Sequence, residues 1–382
     1  MRFAALDGWR GIAALLVAVF HFNGMHHAFN CPVLRNSYLF VDFFFVLSGF
    51  VIAHATAGRL NTLADADDFA ARRLWRVWPL HLVMLGAFAG LEVVKALLVA
   101  VAHVQANMPA FDSEGSAPLS HLFAQVTLTQ AFGALPRLTW NHPSWSIAAE
   151  YWTYIIFACT VVLGGRWNRL LLGGLAVVSA VLLLSLARDG MNAVTDLGVP
   201  RCIFGFVVGV LVQDARRAWD RRGAGSRAFG HSEIAVVVGV LWFVAVAARG
   251  PMSFAAPLVF APAVFVFSFE QGVVSKVLKG NAVQGLGRIS YSIYMVHVFV
   301  VTVINLAISV LQRPLLGRDV FEVVDGHGRL ITGLNPYVLD GMLVIYLAVV
   351  IMIARWTYAT IEVPLRGGID VTAWRLSARA AG

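Results

Sequence analysis

The sequence predicts an all-α fold: a polytopic membrane bundle of about ten transmembrane helices with both termini in the cytoplasm. Three observations predict it. The 382 residues are 59% hydrophobic and only 13% charged. Apolar stretches close to the roughly 20 residues that cross a bilayer recur along the whole chain, and lipid obliges each to satisfy its backbone internally, as a helix does. Placing both termini inside puts 20 of the 29 Lys and Arg on inner segments and 8 on outer ones, with Lys95 inside a span. That asymmetry is the positive-inside rule.

The spans fall at 9–27, 38–57, 77–105, 145–163, 168–187, 199–213, 233–248, 254–270, 289–311 and 337–357. The first lacks a small-residue cleavage site and a second span follows at once, so it is expected to stay in the mature protein. The longest polar stretches are 106–144 and 312–336, too short for a separate domain. Residues 1–365 therefore form one membrane domain and 366–382 a short basic cytoplasmic tail. The net charge of +8 is mostly a topology signal. The run "DARRAWDRRGAGSRAFGHS" at 214–232 is expected to face anionic membrane lipid, and without interleaved aromatic and basic residues it does not point to a nucleic-acid partner. Cys31, Cys159 and Cys202 are odd in number and widely spaced, which suits neither a disulfide framework nor a metal site.

Within the first span, "LDGWRGIAALLVAVFHFNG" (6–24) sets Arg10 and His21 eleven residues apart. On a helix that is three turns plus about 20°, and roughly 16 Å along the axis. Asp7 lies within about 40° of the same face. One stripe thus carries a charge pair at the cytoplasmic mouth and an imidazole near the outer half of the bilayer. Polar groups at such depth cost free energy and mark an interior cavity or a function, although a histidine bridging two helices remains the alternative. In "VDFFFVLSGFVI" (41–52) Asp42 falls at a similar depth, a possible orienter for His21. "RRLWRVWPLHL" (72–82) places Arg73 and Arg76 on one helical face at the inner entrance of the third span. Arg72 suits a topology charge.

These segments resemble the integral-membrane acyltransferase-3 family. The resemblance rests on Arg, ten residues, His in "RGIAALLVAVFH", on "FFFVLSGFVI", on the Arg-x-x-Arg of "RLWR", on "PSWSIAAE" (143–150) and on "SYSIYMVH" (290–297). "RCIFGFVVG" (201–209) and "YATIEVP" (358–364) are weaker echoes, and the motifs run through the whole chain in order. The resemblance implies transfer of an acyl group, most often acetyl, from cytoplasmic acyl-CoA to a hydroxyl on the far side of the membrane, in a bacterial cytoplasmic (inner) membrane and without a metal. The acceptor would be a glycan, a glycolipid or a small hydroxylated molecule. Arg10, Arg73 and Arg76 would hold the coenzyme A phosphates, since guanidinium forks bind phosphate oxygens bidentately. His21 would act as general base or carry the acyl group, with Asp42 and Glu150 as further catalytic candidates. Glu150, expected at the outer opening of the fourth span, would also contact the acceptor, together with Trp145, Arg201 and His297. For Trp145 an interfacial aromatic belt explains the residue as well, and for Arg201 so does anchoring of its helix.

Other chemistries fit less well. The chain has no Gly-x-Ser-x-Gly nucleophile elbow and no histidine followed five positions later by aspartate. Some relatives carry an additional extracytoplasmic hydrolase-like domain, whereas this sequence closes on "LSARAAG", so acceptor recognition is expected from the membrane domain and its outer loops. A carrier for an anionic solute or a lipid-linked sugar is the competing class. Against it stand the lack of an inverted repeat and the clustering of polar residues in the first four spans.

Overall fold

The computed structural model describes residues 2–102, 110–111, 117–133, 135–223, 227–324 and 328–366. The expected tail at 366–382, apart from Arg366, lies outside the described residues, as does most of the outer stretch 103–116. Ten helices carry the architecture: α1 (Ala4–Phe20), α2 (Phe40–Ala55), α3 (Leu63–Ala102), α4 (Ser144–Gly164), α5 (Asn168–Leu186), α6 (Gly198–Arg221), α7 (Arg227–Ala247), α8 (Ala256–Phe267), α9 (Asn281–Leu316) and α10 (Pro336–Thr357). Each falls on one predicted apolar segment. Among the described residues seven helical stretches are long and apolar enough to cross a membrane, one of which, Ser144–Leu186, holds both α4 and α5. The fold is an all-α polytopic bundle.

Boundaries differ from expectation where local chemistry intervenes. Helix α1 ends at Phe20, with His21 as its C-cap still in right-handed backbone geometry, because Asn23 and Gly24 turn the chain away. Helix α3 begins at Leu63, far ahead of the apolar run. Its start is fixed by a capping box in "TLAD": Thr62 Oγ1 accepts from the Asp65 amide and Asp65 accepts from the Asn61 and Thr62 amides. At 40 residues it is about 60 Å long, twice the hydrocarbon core, and Arg72, Arg73 and Arg76 lie ahead of its apolar run. Helix α10 starts on Asn335, whose side chain accepts from the Tyr337 amide, with Pro336 at the first helical position.

Glycines set the closest helix contacts. A side chain at Gly11 would collide with the Gly287 backbone and one at Gly287 with the Asp7 carbonyl, so α1 and α9 touch backbone to backbone, while Gly8 packs as closely on the Leu278 carbonyl just before α9. Gly49 against the Phe206 carbonyl and Gly209 against the Val46 carbonyl do the same for α2 and α6. Small residues permit this approach where lipid offers no hydrophobic drive between helices. Helices α1 and α9 run parallel, since Arg10 meets Ser290 and His21 meets His297. Helix α2 runs against α1, as Phe3 packs on Phe50 and Phe20 on Tyr38, and α10 likewise, as Tyr346 donates to the Ala18 carbonyl and Asp340 meets His27. Consecutive membrane spans require this alternation.

One feature was not anticipated. In the polar stretch before α10, β1 (Phe321–Val324) and β2 (Gly328–Ile331) form an antiparallel hairpin pairing Phe321 with Ile331. The segment after α1 docks on it: the Ile331 amide donates to the Asn23 carbonyl and the Met25 amide to the Ile331 carbonyl. Each run of alternating residues is only four long, too short to register as a strand in sequence.

Candidate active site

Two cavities open on α1, one on its first half and one at its C-terminal end. The first, of about 480 Å³, receives Arg10 from α1, Arg73 and Arg76 from α3, and Glu150 from α4. Six arginines and three carboxylates line it, a cationic excess suited to a polyanion. Arg10 is fixed from three sides: its Nε donates to Ser290 Oγ at 2.8 Å, its Nη2 to the Gly287 carbonyl at 2.8 Å, and Asp7 lies 3.2 Å away. The glycine seam between α1 and α9 makes that reach possible. Arg73 lies over the rings of Tyr154 and Phe69, 5.4 and 5.6 Å from their centres, which holds the guanidinium flat by cation–π attraction. The sequence brought these three arginines to one inner mouth, and the structure places them in one cavity. Arg72 does not line it.

Glu150 departs from expectation. Helix α4 starts at Ser144, one residue before the expected span, and Glu150, six residues and about 9 Å along it, lines the arginine cavity. There it accepts from Tyr154 Oη at 2.5 Å, and Tyr154 in turn contacts Ser48 Oγ at 2.8 Å. Asp42 does not meet His21. Both of its oxygens are taken by Arg201, at 2.9 and 2.7 Å, with the two side chains 0% and 1% exposed. Depth alone suggested the first pairing, while the rotation of α2 turns Asp42 toward α6. Trp145 is buried beneath the same pair, its ring 5.2 Å from the Arg201 guanidinium, so it is no part of an exposed aromatic belt. Neither Trp145 nor Arg201 lines the two cavities.

The second cavity, about 490 Å³, is lined by His21 and the residues on either side of it. His21 Nδ1 stands 2.9 Å from the Val17 carbonyl and 3.2 Å from Nε2 of His297, which is fully buried. A carbonyl can only accept, so in the neutral ring Nδ1 carries the proton. The same argument protonates Nδ1 of His297 toward the Ile293 carbonyl at 3.3 Å and leaves its Nε2 to accept from His21. Nε2 of His21 is then a bare lone pair with no protein partner among the described residues. His297 also packs on Tyr294, ring centres 5.7 Å apart, and Tyr294 lines the arginine cavity. The two histidines and Tyr294 thus form the wall between the cavities.

Sequence reasoning missed several residues of the first cavity. Arg288 lies two residues before the "SYSIYMVH" motif. Glu362 belongs to "YATIEVP", where the helix widens into a π-turn over Tyr358–Glu362, a distortion frequent at functional sites. It accepts from Ser292 Oγ at 2.8 Å and pairs with Arg366. Tyr154 follows Glu150 by one turn, a spacing that flagged the neighbour. Glu92 and Lys95 pair within α3 at 2.8 Å. His81 Nε2 donates to the Gln125 carbonyl, and His54 contacts Gln213. Among the described residues no three His, Cys, Asp or Glu side chains cluster as a bound metal would require.

Residues 3–357 match the profile of the acyltransferase-3 family, described as an acyltransferase domain. The chain belongs to the acyltransferase-3 family. A segment of 92 residues, 23% of this chain, is 40% identical to "Protein 2 in picA locus" of Rhizobium radiobacter and covers 44% of it. The chain therefore spans less than half the length of that curated relative. No solved structure matches. With its apolar helices, this member of the acyltransferase-3 family is an integral membrane protein.

The Asp42–Arg201 pair separates a structural role from a chemical one. Removing one partner of a buried ion pair costs about 3–5 kcal/mol, because the other charge is left unpaired, whereas replacing both by apolar residues is often neutral. Arg201→Ala should sharply lower the thermal unfolding temperature in detergent, and the double variant Asp42→Leu with Arg201→Met should recover most of the loss. Full stability of the single variant would contradict this account.

Proposed function

We propose that this protein is a membrane O-acyltransferase that moves an acyl group, acetyl in the simplest case, from cytoplasmic acyl-CoA to a hydroxyl on the other side of the membrane. The acceptor is a glycan, a glycolipid or a small hydroxylated molecule. The observation that carries the reading is the pair of cavities on α1: arginines at one, an unprotonated imidazole nitrogen at the other, about 16 Å apart along the helix. The family supports acyl transfer and a bacterial cytoplasmic membrane as the setting, and the distribution of Lys and Arg supports an inner position for the arginine cavity.

On this reading Arg10, Arg73, Arg76 and Arg288 hold the coenzyme A phosphates through charge-assisted hydrogen bonds. Glu150 fixes the Tyr154 hydroxyl, which with Ser48 lines the wall along which the pantetheine arm runs toward His297 and His21. The acceptor hydroxyl approaches from the second cavity. Nε2 of His21 takes its proton as the oxygen attacks the thioester carbonyl. The tetrahedral intermediate collapses, the carbon–sulfur bond breaks, and the coenzyme A sulfur leaves with the proton returned by the imidazolium. An acyl-imidazole formed on Nε2 uses the same nitrogen in two steps. His297 holds the ring in the required tautomer. Asp42 and Arg201 brace α2 on α6 without touching the reacting groups.

Membranes supplied with radiolabelled acetyl-CoA should incorporate label covalently into a glycan or lipid fraction. His21→Asn keeps a hydrogen-bonding amide but cannot take a proton, so transfer per folded molecule should fall about 10²- to 10⁴-fold while coenzyme A binding persists. Arg73→Ala or Arg76→Ala should instead raise the KM for acetyl-CoA by about ten- to a hundredfold, the equivalent of one charged hydrogen bond. Near-normal transfer by the Asn variant would overturn both the base and the acyl-imidazole assignments. Uptake of solute without covalent label would favour a carrier.

Sidedness has its own test in Cys31, which is free and exposed on the segment after α1, whereas Cys202 is buried. An impermeant maleimide should label intact cells at Cys31, and Cys31→Ser should abolish that labelling. Labelling at Cys31 only after the cells are opened would reverse the orientation.

A further inference from the structure

We infer that the cavity beside His21 selects an acceptor bearing an acidic group, a carboxylate or a phosphate on a sugar, over a neutral glycan. The inference rests on the acyl-transfer reading above and names the substrate class of its acceptor side.

The charge of the wall is the first observation. Two guanidinium groups, Arg35 and Arg249, line this cavity with His21 and His26, and no Asp or Glu is among its lining residues. The nearby carboxylates are outside it and engaged. Asp340 is held by His27 at 2.5 Å. Asp189 accepts from Asn192 at 2.8 Å and stands 3.6 Å from Arg249, both side chains about half exposed. An exposed pair at that distance is weak, so Arg249 can exchange it for an anion of the acceptor. The Arg35 guanidinium lies 5.9 Å from the Phe29 ring, and that ring is part of the wall.

Unsatisfied polar atoms are the second, independent observation. His26 is only 5% exposed, yet its Nδ1 has no hydrogen-bond partner among the described residues, and neither has the buried Oδ1 of Asn23. Both residues line the cavity. Buried polar atoms are nearly always bonded, and an exception calls for a missing partner. Both atoms are closed to solvent as the cavity stands, so a sugar hydroxyl would reach Oδ1 or Nδ1 only after the side chains beside them shift.

The site is also held in place. The hairpin fixes Asn23 through the backbone bonds already described and through Asn23 Nδ2, which donates to the Arg329 carbonyl at 3.1 Å. Leu330 of β2, Phe20 and Phe29 contribute to the wall. A preorganised wall of this kind loses little freedom on binding. The arrangement places the acid at Arg35 and Arg249 while a hydroxyl of the same or the next sugar meets Nε2 of His21.

The test uses the full chain in nanodiscs of zwitterionic phosphatidylcholine and three trisaccharides: one of galacturonic acid, its carboxyl-reduced neutral counterpart, and the neutral one bearing a single phosphate. At low salt at least one acidic trisaccharide should bind tenfold or more tightly than the neutral one, and salt should shrink the gap. Whichever of the two gains identifies carboxylate or phosphate as the group. Arg35→Gln with Arg249→Gln should erase the preference without changing affinity for the neutral sugar, and the corresponding Lys variants should keep part of it. Saturating coenzyme A should leave acidic-sugar binding unchanged. Equal affinity for acidic and neutral sugars, a preference that survives both Gln substitutions, or competition by coenzyme A would each overturn the inference. Coenzyme A binding and His21-dependent label transfer, followed on the same preparation, report on the acyl-transfer reading separately.

Discussion

The backbone contact between α1 and α9 is the constraint on which the rest of the molecule depends. Gly11 on one helix and Gly287 on the other leave no room for a side chain between them. At that separation Arg10 reaches across to the Gly287 carbonyl and Ser290, and ten residues along the same parallel pair His297 reaches His21. A wider seam would leave Arg10 with Asp7 alone and His21 with only the Val17 carbonyl. The same seam therefore sets the guanidinium at one end and the imidazole tautomer at the other, with a helix of fixed rise between them.

Three sites of buried charge elsewhere are matched within the protein. Asp42 and Arg201 satisfy each other bidentately under Trp145. Glu233, 1% exposed, accepts from the Gly272 and Ser275 amides and the Ser275 hydroxyl. Glu92 takes Lys95 and the Phe111 amide. The contrast lies in the two cavities. In the first, arginines outnumber carboxylates two to one; in the second, polar atoms at Asn23 and His26 lack partners. Other buried polar atoms, among them Trp9 Nε1, Gln130 Oε1 and Gln213 Oε1, also lack partners among the described residues, so it is the coincidence of such atoms with a cavity, and not a missing partner alone, that points to a ligand.

Much of this was legible in the sequence, and the limits have physical causes. Apolar length and the Lys and Arg asymmetry identify the helices, and periodicity along a single helix groups Arg73 with Arg76 and Arg10 with His21. What periodicity cannot supply is the rotation of one helix against another. Asp42 was therefore matched by depth to His21 when its helix turns it to Arg201, and His297 was assigned to the acceptor when it backs His21. Glu150 lies five residues past Trp145, where the apolar pattern begins, and periodicity alone does not say which cavity its side chain faces; the packing of α4 turns it to the arginines. The hairpin at 321–331 was invisible because two four-residue strands become stable only when docked on Asn23 and Met25.

The central claim is that one acyl-CoA molecule links the two cavities, its phosphates among Arg10, Arg73 and Arg76 and its reactive carbon at His21. Electron cryomicroscopy of the full chain with a non-hydrolysable ketone analogue of acetyl-CoA tests that claim most directly. The account predicts density for the phosphates in the arginine cavity, the pantetheine arm passing Tyr154 and Tyr294, and the ketone within hydrogen-bonding distance of Nε2 of His21. Phosphate density in the second cavity, or an arm that ends away from His21, would contradict it.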